Sequence, residues 1–173
     1  MAEYISVSKI SNYVGQEVTI KGWVYNRTDK GKLVFLLVRD GSGFVQCVAF
    51  KGDLEPEVFD RVSRLPQESS VIITGSVRED KRAPGLPGGY ELGVKQIEVV
   101  QEAGLDYPMS LKDHGPDFAL DNRHLWIRMQ SQWAILRVRV RVMKAVREYL
   151  DGQGFFNLDT PILTPAAAEG TTT

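Results

Sequence analysis

"KGKLVFLLVRDGSGFVQCVAF", Lys30 to Phe50, reads as two strands joined by a tight turn. Asp40-Gly41-Ser42-Gly43 has the composition of a hairpin loop, with glycine expected to take positive φ at no steric cost. The first strand is apolar on both faces, because Val34, Leu36 and Val38 alternate with Leu33, Phe35 and Leu37. A strand of a small domain is ordinarily wet on one side. Something must therefore cover the face on which Phe35 stands among Lys30, Lys32 and Arg39. Gln46, on the returning strand, shares that face if the hairpin pairs Arg39 near Gly43 or Phe44.

Working outward, β-branched and apolar runs recur at Glu17–Trp23, Ser70–Arg78 and Tyr90–Val99. Between the third and fourth runs, "PEVFDRVSRL" (Pro56–Leu65) sets Val58, Val62 and Leu65 at helical spacing behind a proline suited to a first turn. The order is three strands, a short helix, then two strands. That order predicts a mainly β chain built on a five-stranded OB-fold Greek-key barrel, a fold that binds oligonucleotides on its strand 2–3 face. Glu79–Gly89, "EDKRAPGLPGG", reads as a mobile connection between the last two strands.

Past Ala103 the texture changes. Residues 104–127 lack any sustained period and carry Pro108 and Pro116, which predicts a hinge after an OB domain over 1–103. From Met129 to Leu150 the steps of three and four between Trp133, Leu136, Val140, Met143, Val146 and Leu150 predict a long helix. Arg137, Arg141, Lys144 and Arg147 form a neighbouring stripe, and Asp151-Gly152 closes the helix. "GFFNLDTPIL", Gly154–Leu163, then reads as one strand. A lone strand needs partners for its backbone groups, so 128–173 reads as the truncated start of an α+β domain.

The composition is that of a globular protein, with 43% hydrophobic and 25% charged residues and a net charge of −1. No apolar run approaches a membrane span and no signal segment opens the chain, so the expectation is a cytoplasmic protein without a membrane partner. Cys47 is the single cysteine and reads as a buried strand thiol. His114 and His124 are too few and too poorly spaced for zinc, and no metal is expected. Between Lys21 and Arg39, five basic residues face one acid, Asp29. Such a stripe on a nearly neutral protein suits a confined polyanion contact, although a solvated loop face explains the charge equally well.

The barrel, the phrase "LDNRHLWIR" (Leu120–Arg128) and "GFFNLDTPILTPAAAEGTTT" together resemble the N-terminal part of a class II aminoacyl-tRNA synthetase. Within the subgroup holding the aspartyl and lysyl enzymes, the wording is most similar to the asparaginyl branch. "GFFNLDTPIL" looks like the family's motif 1. The resemblance implies that this strand and the preceding helix build a homodimer interface, with Gly154, Phe156 and Pro161 in it.

The resemblance also implies that the barrel reads the anticodon loop of an asparagine tRNA. Phe35 matches the family's ring stacked on the central uridine, and Gln46 the amide that hydrogen-bonds it. Arg27 matches a basic residue near the anticodon backbone, Glu91 a carboxylate reading the wobble base, and Glu169 a mobile glutamate of the amino-acid pocket. Lys30 and Lys32 would hold phosphates. Thr28 departs from relatives that carry another arginine there. The residues themselves suit that role. An aromatic face stacks any base, one amide carries both a donor and an acceptor for a uracil edge, and sequence-specific RNA reading favours unstacked loop bases. From the residues alone, cover of Phe35 by the Pro-rich hinge is favoured over cover by a base.

A complete family member uses ATP and magnesium to activate asparagine and then transfers it to the tRNA. The family's motifs 2 and 3 do not occur here, so the expectation for this chain alone is RNA binding with no cofactor, no catalytic residue and no aminoacylation. Two other readings stay open. One is the corresponding part of an aspartyl enzyme that charges both asparagine and aspartate tRNAs. The other is a freestanding OB module whose outer face binds single strands without preference, or binds protein.

Overall fold

In the computed structural model, which describes residues 2–162, the chain opens with the short strand β1 (Glu3–Tyr4), a 3-10 helix (Val7–Tyr13) and the long strand β2 (Glu17–Asp29). β3 (Leu33–Arg39) and β4 (Phe44–Phe50) form the hairpin, followed by helix α1 (Pro56–Val62) and strand β5 (Ser70–Glu79). Next come β6 (Gly85–Leu86) and β7 (Tyr90–Gln101). The path β2-β3-β4-β7-β5 closes on itself through β2–β5, with β4 and β7 parallel and the other barrel pairs antiparallel. This is the expected OB-fold.

The alternation read in β3 is real. Val34, Leu36 and Val38 are buried in the barrel with Ile20, Ile73, Leu92 and Val94, and Phe59, Val62 and Leu65 of the α1 region join the same cluster. Cys47 is fully buried. Burial and the nearby charge of Glu91 both push its thiol far above the ordinary value, leaving it a core side chain.

The hairpin turn forms where expected, for a different reason. Neither Gly41 nor Gly43 takes positive φ. Instead the Asp40 carboxylate accepts from Ser42 N–H (2.8 Å), Ser42 Oγ (2.7 Å) and Gly43 N–H (2.9 Å), an Asx-type turn. Its other oxygen accepts from Val7 N–H at 2.9 Å, tying the N-terminal helix to the hairpin. Gly43 is required by space, since a Cβ there would stand 1.9 Å from the carbonyl oxygen of Leu86 on β6.

The 79–89 connection is more ordered than its composition suggests. β6 pairs with Phe44 and Val45, and Asp80 holds Arg82 through its backbone N–H (2.9 Å) and both sides of the guanidinium (3.1 and 2.9 Å). Those bonds lower Asp80 from the ordinary 3.8 to about 2. A depressed carboxylate contributes its order in full above the unfolded value and loses it as pH falls through the folded one. We therefore expect the Asp80 carboxyl resonance to titrate near 2, and higher in Arg82→Ala, still below the ordinary 3.8 because the residue-82 backbone N–H bond remains. Identical midpoints in the two proteins would refute the pairing.

The chain divides into two compact units, Met1–Pro108 and Met109–Thr173. In the second, the stretch read as an unstructured hinge holds two short helices, α2 (Pro116–Asp121) and α3 (Arg123–Trp126). The long helix α4 spans Gln130–Gly152, and no residue of it is buried. Its end is set by Gly154 rather than Asp151-Gly152. Gly154 sits at φ 86°, its N–H donates to Asp151 (3.0 Å), and Phe155 N–H donates to Leu150 (3.1 Å). That is a Schellman closure, which needs a residue tolerant of left-handed backbone. Residues 155–162 form no strand. The expected strand finds no partner among the described residues, and an unpaired strand has nothing to satisfy its ladder groups. Phe156 and Pro161 are exposed there, and Glu169 lies outside the described residues.

Candidate nucleic-acid interface

Register assembles the outer face of the barrel. β3 and β4 pair Arg39 with Phe44, Leu37 with Gln46 and Phe35 with Val48, so Phe35 and Gln46 share a face. β4 and β7 pair Gln46 with Glu91 and Val48 with Gly93, and β7 and β5 pair Glu91 with Arg78 and Gly93 with Ser76. Two rows of side chains therefore cross the sheet. One runs Asn26, Leu37, Gln46, Glu91, Arg78, and the other Thr28, Phe35, Val48, Gly93, Ser76.

Phe35, Leu37, Gln46, Val48 and Glu91 are all half-buried, the condition of residues that form a surface floor. Gly93 contributes no side chain, and the Arg78 guanidinium lies across it, its Cζ 3.0 Å from where a Cβ would stand. Gln46 Nε2 donates to Glu91 Oε2 at 3.4 Å. A carboxylate has no proton to give, so this contact fixes which end of the amide faces Glu91. The amide oxygen and the second N–H stay available for a base edge.

Cations flank this floor unevenly. Lys30 and Lys32 are exposed in the β2–β3 turn, held by the Lys30 N–H bond to Leu33 O (2.8 Å) and the Gly31 N–H bond to Asp29 Oδ1 (2.7 Å). Arg27 is exposed but pairs with Leu36, which turns it to the face opposite Phe35. The cause is a bulge. β2 and β3 pair Val24 with Val38 but then Asn26 with Leu37, so one residue is inserted at Tyr25. Without it, Arg27 would stand opposite Phe35, because a one-residue slip exchanges the faces of a strand. Thr28 takes that place instead.

The bulge is pinned from behind. Arg39 Nη2 meets Glu68 Oε2 at 2.5 Å, with both side chains nearly buried (10% and 7% exposed). The Arg39 guanidinium lies 5.7 Å from the Tyr25 ring centre, and Tyr25 packs edge-on against Phe44 at 5.0 Å. Burial pushes the Tyr25 hydroxyl above its ordinary value, against the pull of Arg39. Glu68 holds φ 70°, and Glu68 N–H donates to Val24 O at 2.7 Å while Val24 N–H donates to Ser69 O at 2.9 Å.

Residues 18–100 match the family of OB-fold nucleic acid binding domains, and residues 115–173 match the class II tRNA synthetases (D, K and N). The first match falls within the barrel unit and the second within the unit that follows it. An asparagine–tRNA ligase from Chloroflexus aurantiacus is 54% identical over 96% of this chain and 37% of its own length. The crystal structure of asparaginyl-tRNA synthetase from Pyrococcus horikoshii with asparaginyl-adenylate superposes with a TM-score of 0.86 at 36% identity, over 100% of this chain and 40% of that one. An aspartyl-tRNA synthetase from Entamoeba histolytica gives 0.78 at 25% identity, covering 96% of this chain and 41% of that one. The chain thus spans about two fifths of the length of these relatives.

The structure brings the sequence-expected Phe35, Gln46 and Glu91 onto one face together with Arg78, Gly93 and Val48, which the sequence reading did not name. Arg78 and Gly93 enter only through strand pairings between β5, β7 and β4, which no local pattern encodes.

Proposed function

We propose that the outer face of the barrel reads the anticodon loop of an asparagine tRNA, serving an asparagine–tRNA ligase. The observation that carries this is the row joining Gln46 to Glu91 and Arg78 beside Phe35, a stacking surface next to an amide held ready for one base edge. In this reading Phe35 stacks the central uridine, Gln46 pairs with its edge, Glu91 reads the wobble base, and Lys30 and Lys32 hold phosphates. Arg27, on the opposite face, would meet a phosphate only where the RNA backbone wraps over the strand edge. Among the solved structures, 36% identity to an asparaginyl enzyme against 25% to an aspartyl one supports the asparaginyl branch.

The complete enzyme would activate asparagine with ATP and magnesium and work as a homodimer. Gly154, Phe156 and Pro161, with the exposed apolar stripe of α4, would supply this chain's part of the interface. Among the described residues no group of three or more His, Cys, Asp and Glu side chains is placed to hold a metal ion. No described helix is long and apolar enough to cross a membrane. A tRNA-charging role places the protein in the cytoplasm.

The test is binding of an anticodon stem-loop carrying GUU. Affinity should fall as salt rises, because phosphate contacts release counterions. Changing the central U to C should weaken the wild-type chain about 2- to 10-fold, the loss of one or two net hydrogen bonds, and should weaken Gln46→Ala less. Equal penalties would remove Gln46 from the site. Salt-independent binding would favour a protein ligand, and equal affinity for poly-U would favour a non-specific OB module.

A further inference from the structure

Phe50 ends β4 with its ring 42% exposed, although it is apolar and large. A single exposed apolar residue is common and by itself asks for nothing. Three features set this one apart. First, β4 alternates, so Phe50 points the same way as Gln46 and Val48. Its partner is Leu33 while Val48 faces Phe35, which makes Phe50 the diagonal neighbour of Phe35 on the outer face. Diagonal positions on one face lie about 7–8 Å apart, within reach of large side chains.

Second, the ring is seated. Asp53 N–H donates to Phe50 O at 3.0 Å, closing a turn that brings Gly52 under the ring. A Cβ on Gly52 would stand 2.6 Å from Phe50 Cε1 and 3.2 Å from Cδ1. The ring thus rests against a glycine while the residue stays partly exposed. Third, the setting is cationic. Lys51 and Lys32 are exposed next to the Phe50–Leu33 pair, joined by the Lys51 N–H bond to Lys32 O at 2.9 Å, and Lys30 lies two residues from Lys32 in the same turn.

We infer that Phe50 is a second stacking platform, taking the unpaired nucleobase next to the one on Phe35, with Lys32 and Lys51 on the intervening phosphates. This inference rests on the anticodon-loop reading proposed above and extends it by one nucleotide. The two rings occupy neighbouring strands, so the RNA would cross the sheet from β3 to β4. Gln46 and Glu91 then lie on one side of Phe35 and Phe50 on the other. Stacking needs a ring face rather than apolar area, so leucine cannot replace it.

The experiment measures the affinity of the chain for the labelled GUU stem-loop at low salt. We expect Phe50→Ala and Phe50→Leu each to weaken binding about tenfold, within the range for one stacked base, with Phe50→Trp near wild type. Gly52→Ala should also weaken it by displacing the ring. An abasic residue at one of the two positions beside the central uridine should erase the difference between wild type and Phe50→Ala. Thermal unfolding of each variant separates lost stacking from lost fold, and Phe50→Leu carries the test if Phe50→Ala does not fold. If both Phe50 variants bind like wild type while Phe35→Ala is weakened, the second platform is wrong and the first stands. If the Phe50→Ala loss persists with either neighbouring base removed, Phe50 acts on the fold and the inference fails. If neither ring matters, the anticodon reading falls and takes this inference with it.

Discussion

Replacing Glu68 by alanine is expected to destabilise the barrel by about 3–5 kcal/mol, the loss seen when one member of a buried ion pair is removed. Arg39 is 8% exposed and would keep its charge in the barrel wall without this carboxylate. The left-handed φ of 70° strains Glu and Ala alike, so it adds nothing to this difference. Denaturant unfolding should show a lower midpoint at unchanged slope. A change below about 1 kcal/mol would mean that the pair offsets only its own desolvation. The functional consequence follows from the bulge at Tyr25, which Arg39, Glu68 and the Glu68–Val24 backbone bond hold together. If the bulge relaxed, Arg27 and Thr28 would exchange faces, and the charge beside Phe35 would change with them. Glu68→Gln keeps the hydrogen-bonding shape and should fall between alanine and wild type.

Phe35→Ala should weaken binding of the GUU stem-loop by about 1–3 kcal/mol, roughly 5- to 150-fold. Phe35 is half-buried, so part of its area packs on Leu33, Leu37 and Val48 whether or not RNA is present. Phe35→Leu separates the two roles, keeping most of the packing and removing the ring. It should unfold near wild type yet bind nearly as poorly as alanine. Unchanged affinity in both variants would remove Phe35 from the interface.

The barrel was legible in the sequence because its strands are rich in β-branched residues and separated by turn chemistry, and because one helix with a proline start sits between the third and fourth. What escaped lies in pairings that depend on distant chain. β2 continues past Trp23 through the polar Asn26–Asp29, which stay extended only because β3 offers partners. β6 lies inside a Pro/Gly segment and exists because Gly43 lets Leu86 approach. At the interface, Phe35 and Gln46 follow from one local hairpin whose register Asp40 fixes. Glu91 was accessible only through family likeness, and Arg78 not at all. Arg27 faces away from Phe35 because of a single inserted residue that the local sequence does not mark.

The parallel contact between β4 and β7 also has a temporal side. Gln46 and Glu91 are 45 positions apart, and their strands meet side by side only when the final barrel strand docks. During synthesis the hairpin bearing Phe35 and Gln46 emerges before the carboxylate of Glu91 that orients the Gln46 amide. Distant pairings of this kind form slowly. Base discrimination would thus appear after general RNA affinity, and the lag between the two would time the docking of that strand.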